Sequence, residues 1–128
     1  MPAERRRVVL VAEDDLAVRR PLEKFLEIHG FRVVAADAAD EAIDAIQHYR
    51  PAAAIVDLRL NRGSGRDVIM AMAPGVPVLI FSGVPSESSE LERLRPRTRL
   101  ISKPYSLVLL VETLEDMLAS ADANHLRR

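Results

Sequence analysis

The chain contains no cysteine and no tryptophan, and only two tyrosines and three phenylalanines among its 128 residues. The absence of cysteine excludes a disulfide framework, a thiol nucleophile and thiolate metal ligands, and it suits a reducing compartment. An excess of one charge is also missing, because 18 Lys and Arg residues face 19 Asp and Glu residues, for a formal net charge of −1. Since a nucleic-acid binder normally carries a basic face, we expect no direct nucleic-acid partner.

Long apolar runs are missing as well. The run Val8–Ala12 follows three arginines, as the core of a signal peptide would, but it ends after five residues at Glu13. A secretory core needs about 7–15 apolar residues and a membrane span about 18–20. We therefore expect a soluble, cytoplasmic protein with no membrane partner.

Lysine is scarce in this chain. Only Lys24 and Lys103 are lysines among the 18 basic residues, and the other 16 are arginines. A lysine at a functional position is therefore informative, because an ammonium is a compact point charge that suits one phosphate oxygen or one carboxylate. The remaining composition, 48% apolar and 29% charged, is typical of a soluble globular protein.

Short apolar runs alternate with segments of helical spacing along the chain. The runs are apolar at successive positions, which indicates strands buried on both faces of a sheet. The predicted strands are Val8–Ala12, Phe31–Ala36, Ala53–Leu58, Val76–Phe81 and Arg99–Ser102. The predicted helices are Leu16–His29, Asp40–His48 (with Asp40 as N-cap), Arg66–Ala73, Glu87–Leu94 and Ser106–Ala119. This alternation predicts an α/β fold, a doubly wound five-stranded parallel sheet with helices on both faces.

The length of the chain fits one domain of about 100–150 residues. We place the domain at residues 7–119 and expect residues 1–6 and 120–128 to be flexible termini. Only about nine residues follow the last predicted helix, too few for an output domain of the usual size.

Polar side chains cluster where the predicted strands end. Glu13 and Asp14 follow the first strand, Asp57 ends the third, Ser82 follows the fourth and Lys103 the fifth. In an open parallel sheet, ligands bind beyond the carboxyl ends of the strands, so these side chains converge on one edge.

Three carboxylates at one edge repel each other unless a cation compensates their charge. A hard divalent ion such as Mg²⁺ is the natural partner, since it prefers oxygen ligands and keeps several waters. A carboxylate beside such an ion is also a nucleophile of the acyl-phosphate kind. The pattern therefore indicates phosphoryl transfer to Asp57, with Mg²⁺ neutralising the developing charge.

Four stretches of the chain carry a family resemblance, each at the end of a predicted strand. They are Val8–Asp15, Ile55–Leu60 with Gly65 eight residues after Asp57, Pro77–Gly83 and Ile101–Tyr105. In this order and spacing, the chain resembles the receiver domain of two-component response regulators over residues ~7–119.

The resemblance implies a flavodoxin-like fold with strand order 2-1-3-4-5 and a phosphoacceptor at Asp57. It implies a Mg²⁺ site formed by Glu13, Asp14, Asp57 and the main-chain carbonyl of Arg59. Ser82 matches the hydroxyl position of the family, and Lys103 matches its lysine.

The resemblance also implies partners. The phosphodonor would be a sensor histidine kinase or a histidine phosphotransfer protein, and the output would be a downstream protein target or a phosphorelay. Such a stand-alone receiver catalyses only its own phosphorylation and dephosphorylation, so we expect a signalling protein rather than an enzyme. The alternative is a receiver-like interaction module that works without phosphorylation.

Two other classes fit the pattern less well. A phosphohydrolase of the haloacid-dehalogenase type needs a second acid two residues after the nucleophile, where this chain has Arg59. A flavodoxin-like cofactor binder needs a loop rich in Ser, Thr and Gly after the first strand, where this chain has Glu13 and Asp14.

Three further features of the sequence lead to predictions, and two of them are departures from the family pattern. Asn61-Arg62 stands where Pro-Gly is frequent, which predicts a more mobile loop after the phosphoacceptor. Leu100 stands where many receivers have an aromatic residue, which puts an aromatic switch in doubt. The segment Arg93–Arg99 has four arginines in seven residues, and it is either a solvated loop or a partner-docking edge.

Overall fold

The structure is a computed structural model that describes residues 6–82, 85–102 and 106–126, without the side chains of residues 82, 85–88 and 123–126. The strands are β1 (Val8–Ala12), β2 (Arg32–Ala36), β3 (Ala53–Asp57), β4 (Val78–Ser82) and β5 (Thr98–Ser102). The helices are α1 (Leu16–Ile28), α2 (Ala39–Tyr49), α3 (Gly65–Ala71), α4 (Pro85–Leu94) and α5 (Leu107–Leu126).

The five strands form one parallel sheet in the order β2-β1-β3-β4-β5. This confirms the predicted fold class and strand order. Because strand order reverses beside β1, the carboxyl ends of β1 and β3 meet at the switch point of the sheet.

Each face of the sheet carries its own apolar core. Leu10, Val56 and Ile80 point to the side covered by α2, α3 and α4, whereas Val11 and Ile55 point to the side covered by α1 and α5. Successive residues of a strand therefore enter opposite cores, which is why the strands read as unbroken apolar runs.

Most predicted element bounds agree with the structure to within two residues. Strand β4 starts at Val78 rather than Val76, because the Val76 N–H closes a turn onto the Ala73 carbonyl at 3.2 Å. Helix α5 continues to Leu126, seven residues beyond the predicted end at Ala119. No Gly or Pro interrupts this extension, and Asp122 within it pairs with Arg7. The expected domain bounds and the flexibility of the termini stay predictions.

The predicted N-cap of α2 was wrong. Helix α2 starts one residue earlier, at Ala39, and its N-cap is Ala38, whose side chain makes no capping hydrogen bond. The Ala39 N–H instead donates to the carbonyl of Arg62 at 2.9 Å. A neighbouring loop thus supplies an acceptor that a side-chain cap would otherwise provide, and Asp40 lies in the first turn.

Within the part of the chain that the structure describes, none of the helices is both long enough and apolar enough to span a bilayer.

Candidate functional site

The three predicted acids come together at the carboxyl edge of the sheet. Carboxylate oxygens of Glu13, Asp14 and Asp57 all lie within 4.8 Å of one another. Glu13 is only 1% exposed and Asp57 only 5%. Two such charges 4.8 Å apart repel by about 3 kcal/mol at an effective dielectric constant of about 20. The arrangement therefore favours binding of a cation, and three carboxylates are a ligand set that suits Mg²⁺.

Asp57 is held by the turn that follows β3. Its Oδ1 accepts the N–H of Arg59 at 2.9 Å. Gly65 lies directly against this turn, since a Cβ there would approach the carbonyl oxygen of Asp57 to 2.2 Å and the Cα of Leu58 to 2.7 Å. Residue 65 must therefore be glycine for α3 to start this close to the acid. The family spacing of Gly65 after Asp57 thus has a steric cause.

Asp14 is connected to the loop after β3 as well. Its Oδ2 accepts the N–H of Asn61 at 2.5 Å, and its own N–H donates to Oε2 of Glu13 at 3.2 Å. The two loops that carry the acids are therefore joined directly, one after β1 and one after β3. Hydrogen bonds to carboxylates are stronger than those between neutral groups, so this junction orders both loops.

The loop after β3 also contacts the start of α2 through hydrogen bonds and ion pairs. Besides the bond from Ala39, the Arg62 guanidinium lies 2.9 Å from Oε1 of Glu41 and 3.7 Å from Oδ1 of Asp37. Gly63 has a φ of +83°, and a Cβ on it would lie 2.5 Å from the Cβ of Ala39. These contacts favour an ordered loop over the mobile one expected from Asn61-Arg62.

The side chains of two predicted site residues lie outside what the structure describes. Ser82 ends β4 at the same edge as Asp57, where β4 pairs with β5 through Ser82 and Ser102, but its side chain is not among the described ones. Lys103 follows Ser102 directly and lies outside the described residues. The roles of Ser82, Lys103 and the Arg59 carbonyl therefore stay predictions.

Sequence reasoning missed one charged side chain at this edge. Arg19, on the first turns of α1, donates from Nη1 to the main-chain carbonyl of Glu13 at 3.0 Å. Its side chain is only 16% exposed. An arginine six residues after an acid forms no recognisable motif, so the contact became visible only once helix α1 was placed against the end of β1.

The arginine-rich segment Arg93–Arg99 is not one surface. Arg93 and Arg99 are exposed, but Arg95 is only 5% exposed and donates to the Ala73 carbonyl at 2.6 Å and to Thr98 Oγ1 at 3.2 Å. Burial lowers the pKa of Arg95 below its ordinary value. The expectation of a solvated loop or docking edge was therefore wrong for Arg95. Its guanidinium instead connects Thr98, the first residue of β5, to the carbonyl of Ala73.

Comparisons with known proteins identify a family for the chain. Residues 9–115 match the family model for the response regulator receiver domain. The chain is 29% identical over 114 residues to the response regulator MprA of Mycobacterium sp. (strain KMS), an alignment that covers 86% of this chain and 50% of the relative. It is 41% identical over 64 residues to the acid tolerance regulatory protein ActR of Rhizobium meliloti (strain 1021), covering 50% of this chain and 33% of the relative.

A solved structure supports the fold. The response regulator receiver domain protein (CheY-like) from Methanospirillum hungatei JF-1 superimposes with a TM-score of 0.85 at 24% identity, covering 93% of this chain and 98% of that one. The chain spans about half the length of the curated relatives it matches first.

Proposed function

The chain belongs to the response regulator receiver domain family, and we propose that it accepts a phosphoryl group on Asp57 from a phosphohistidine donor, with Mg²⁺ bound at Glu13, Asp14 and Asp57. The observation that carries this proposal is the convergence of three carboxylates within 4.8 Å, two of them buried, at the switch point of the sheet. Packing alone does not account for three like charges at one place, because each costs free energy to desolvate.

Asp57 is the nucleophile in this proposal. One of its carboxylate oxygens forms a bond to phosphorus while the bond between phosphorus and the donor imidazole nitrogen breaks, and the imidazole then takes up a proton. The Arg59 N–H binds Oδ1 of Asp57 at 2.9 Å and so orients the carboxylate for attack. Bound Mg²⁺ would supply positive charge to the transferring phosphoryl oxygens.

Glu13 and Asp14 would hold the ion, and the resemblance adds the Arg59 carbonyl as a further ligand. Ser82, the last residue of β4, and Lys103, which follows β5 in the sequence, would contact phosphate oxygens. Lys103 fits this role because it is one of only two lysines in a chain that otherwise uses arginine.

The phosphodonor would be a sensor histidine kinase or a histidine phosphotransfer protein, and the phosphorylated form would signal by binding a downstream protein or by passing the phosphoryl group on. Receiver domains act as signalling phosphoacceptors, and catalysis here would be limited to the chain's own phosphorylation and dephosphorylation. The stand-alone arrangement, the downstream target and the cytoplasmic location stay predictions.

The test is mass spectrometry after incubation with acetyl phosphate or phosphoramidate in Mg²⁺. The native protein is expected to gain one phosphate, and both excess EDTA and Asp57→Asn are expected to abolish the gain. Asp67→Asn is the matched control, since Asp67 is an exposed acid on α3 outside the acid cluster. An adduct that survives Asp57→Asn, or a native protein that never gains phosphate, would overturn the proposal in favour of an interaction module without phosphorylation.

A further inference from the structure

We propose that Arg19 is a positioning residue for the acid cluster: it holds the main chain of Glu13 and thereby sets where the Glu13 and Asp14 carboxylates lie for Mg²⁺. This inference rests on the proposed function. It concerns a buried cation that the phosphoryl-transfer chemistry itself does not use.

The first observation is that both main-chain polar groups of Glu13, the residue after β1, form hydrogen bonds with other elements of the fold. Its N–H donates to the carbonyl of Ala36, at the end of β2, at 3.0 Å. Its carbonyl accepts Nη1 of Arg19 at 3.0 Å in a partly buried setting. A charge-assisted hydrogen bond of this kind contributes about 1.5–3 kcal/mol. The residue that carries the most buried acid is therefore fixed on both sides.

The second observation is that Arg19 contacts the same loop twice. Its main-chain N–H donates to the Asp15 carbonyl at 2.9 Å, which closes the first turn of α1. Oδ1 of Asp15 in turn caps this helix by accepting the N–H of Ala17 at 2.9 Å. Backbone and side chain of Arg19 thus close a ring through Glu13 and Asp15, and Asp14 lies inside that ring. A residue within such a ring has few alternative conformations.

The third observation is that Arg19 is poorly paired for a side chain so buried. Its only ion-pair partner among the described residues is Glu23, with Nε 3.9 Å from Oε1. Nε itself is buried without a hydrogen-bond partner there. Burying a guanidinium in this way costs free energy. The hydrogen bond to the Glu13 carbonyl is therefore the main polar contact of the Arg19 guanidinium among the described residues.

The experiment is a titration with Mg²⁺ alone, followed by NMR of the amide signals of residues 13, 14 and 57–59. Arg19→Gln is expected to raise the Mg²⁺ dissociation constant about tenfold, as loss of a partner behind a metal ligand typically does. Arg20→Gln is the matched control, because it removes the same charge one residue later, from an exposed position on α1. We expect it to change the dissociation constant less than about twofold.

A phosphorylation assay with acetyl phosphate separates positioning from chemistry. The Mg²⁺ concentration for half-maximal rate should rise in Arg19→Gln, whereas the rate at saturating Mg²⁺ should change little. Arg19→Lys is expected to recover most of the Mg²⁺ affinity, since an ammonium can donate to the same carbonyl.

Three results would overturn the inference. One is a lower melting temperature of Arg19→Gln in EDTA with unchanged Mg²⁺ affinity, which would make Arg19 merely structural. Another is an equal loss of affinity in Arg19→Gln and Arg20→Gln, which would make the effect one of net charge. The third applies even if Arg19→Gln fails to fold: Arg19→Lys, which keeps a donor for the Glu13 carbonyl, would fold and yet bind Mg²⁺ at least tenfold more weakly than the native protein.

Failure of the proposed function gives a different result. A native protein that shows no saturable Mg²⁺ response, or that is never phosphorylated on Asp57, contradicts the proposed function itself. A native protein that does both, beside an Arg19→Gln variant that behaves like the native one, contradicts only the role of Arg19.

Discussion

The two edges of the sheet each contain buried charge, but they treat it in opposite ways. At the carboxyl edge, Glu13, Asp14 and Asp57 place three like charges within 4.8 Å. At the amino edge, the guanidinium of Arg95 is surrounded by acceptors, with the Ala73 carbonyl at 2.6 Å and Thr98 Oγ1 at 3.2 Å. The first arrangement gathers charges of one sign, whereas the second surrounds a charge with hydrogen-bond acceptors.

This difference separates charges that we propose bind Mg²⁺ from a charge that stabilises the fold. Burial is similar in the two places, since Asp57 and Arg95 are each 5% exposed. What differs is the surroundings: Asp57 lies beside two further carboxylates, whereas the Arg95 guanidinium lies among neutral hydrogen-bond acceptors. We therefore expect removal of a charge to have opposite effects on the free energy of unfolding at the two edges.

The largest effect is expected at the amino edge. Arg95→Ala should lower the free energy of unfolding by about 3 kcal/mol, because it leaves the buried Thr98 hydroxyl without its guanidinium partner and opens a cavity. Urea denaturation measures the change. Arg99→Ala is the control, since Arg99 is exposed on the neighbouring strand and should cost less than about 0.5 kcal/mol. If Arg95→Ala and Arg99→Ala lowered the free energy of unfolding equally, the buried guanidinium of Arg95 would have no special role in stability.

The opposite sign is expected at the carboxyl edge. Asp57→Asn should raise the free energy of unfolding in EDTA by about 2 kcal/mol, because it removes one of three mutually repelling charges. The amide oxygen can still accept the Arg59 N–H, so the turn is kept. Asp67→Asn, at an exposed position in the first turn of α3, should not raise the free energy of unfolding and should lower it by less than about 1 kcal/mol. A clear loss of stability in Asp57→Asn would mean that the cluster is already compensated without metal.

Mg²⁺ should stabilise the native protein but not every variant. At a free Mg²⁺ concentration ten times the dissociation constant, mass action predicts a gain of about 1.4 kcal/mol. Arg95→Ala should gain the same amount, because its edge takes no part in metal binding, whereas Asp14→Asn should gain much less. Thermal denaturation with and without Mg²⁺ measures each gain. If Mg²⁺ stabilised Arg95→Ala less than the native protein, the amino edge would affect metal binding at the carboxyl edge, contrary to this prediction.

The smallest effect is expected at the rim of the site, where the charges are exposed. Arg62→Gln breaks the pairs with Glu41 and Asp37, whose side chains are each 52% exposed, so it should cost at most about 0.5 kcal/mol. Raising the salt concentration should remove most of that cost, whereas the cost of Arg95→Ala should persist. Denaturation at low and high salt tests this. A large, salt-independent decrease in the free energy of unfolding of Arg62→Gln would mean that Arg62 stabilises the fold as Arg95 does, contrary to this prediction.

Local sequence patterns predicted some features of the site but not others. The acids after β1 and β3 were predictable, because an acid next to an apolar run is a local signal and parallel strands bring their carboxyl ends together. The mode of attachment of the loop after β3 was not. Asn61 meets Asp14 across 47 residues of sequence, through a backbone N–H that carries no side-chain information.

The arginines between α4 and β5 also show a property that sequence patterns do not predict, namely which of them is buried. Arg93, Arg95 and Arg99 look alike in the sequence, yet only Arg95 of these three is buried. A charge-reversal test of a docking edge therefore belongs at Arg93 and Arg99, since reversal at Arg95 would destabilise the fold. The identity of the buried arginine depends on where the Ala73 carbonyl lies, 22 residues away along the chain.

The sequence by itself determined the alternation of strands and helices, the parallel sheet and the residues that end its strands, because side-chain periodicity and turn chemistry act over a few neighbours. Family motifs extended this to the strand order, and they carry the prediction that Asp57 is the phosphoacceptor. Only the tertiary structure decided that the acids lie within 4.8 Å, that Arg19 holds Glu13 and that Arg95 is buried. Burial and hydrogen-bond partners are properties of packed elements, and distant parts of the chain supply the atoms that satisfy a charge or leave it unsatisfied.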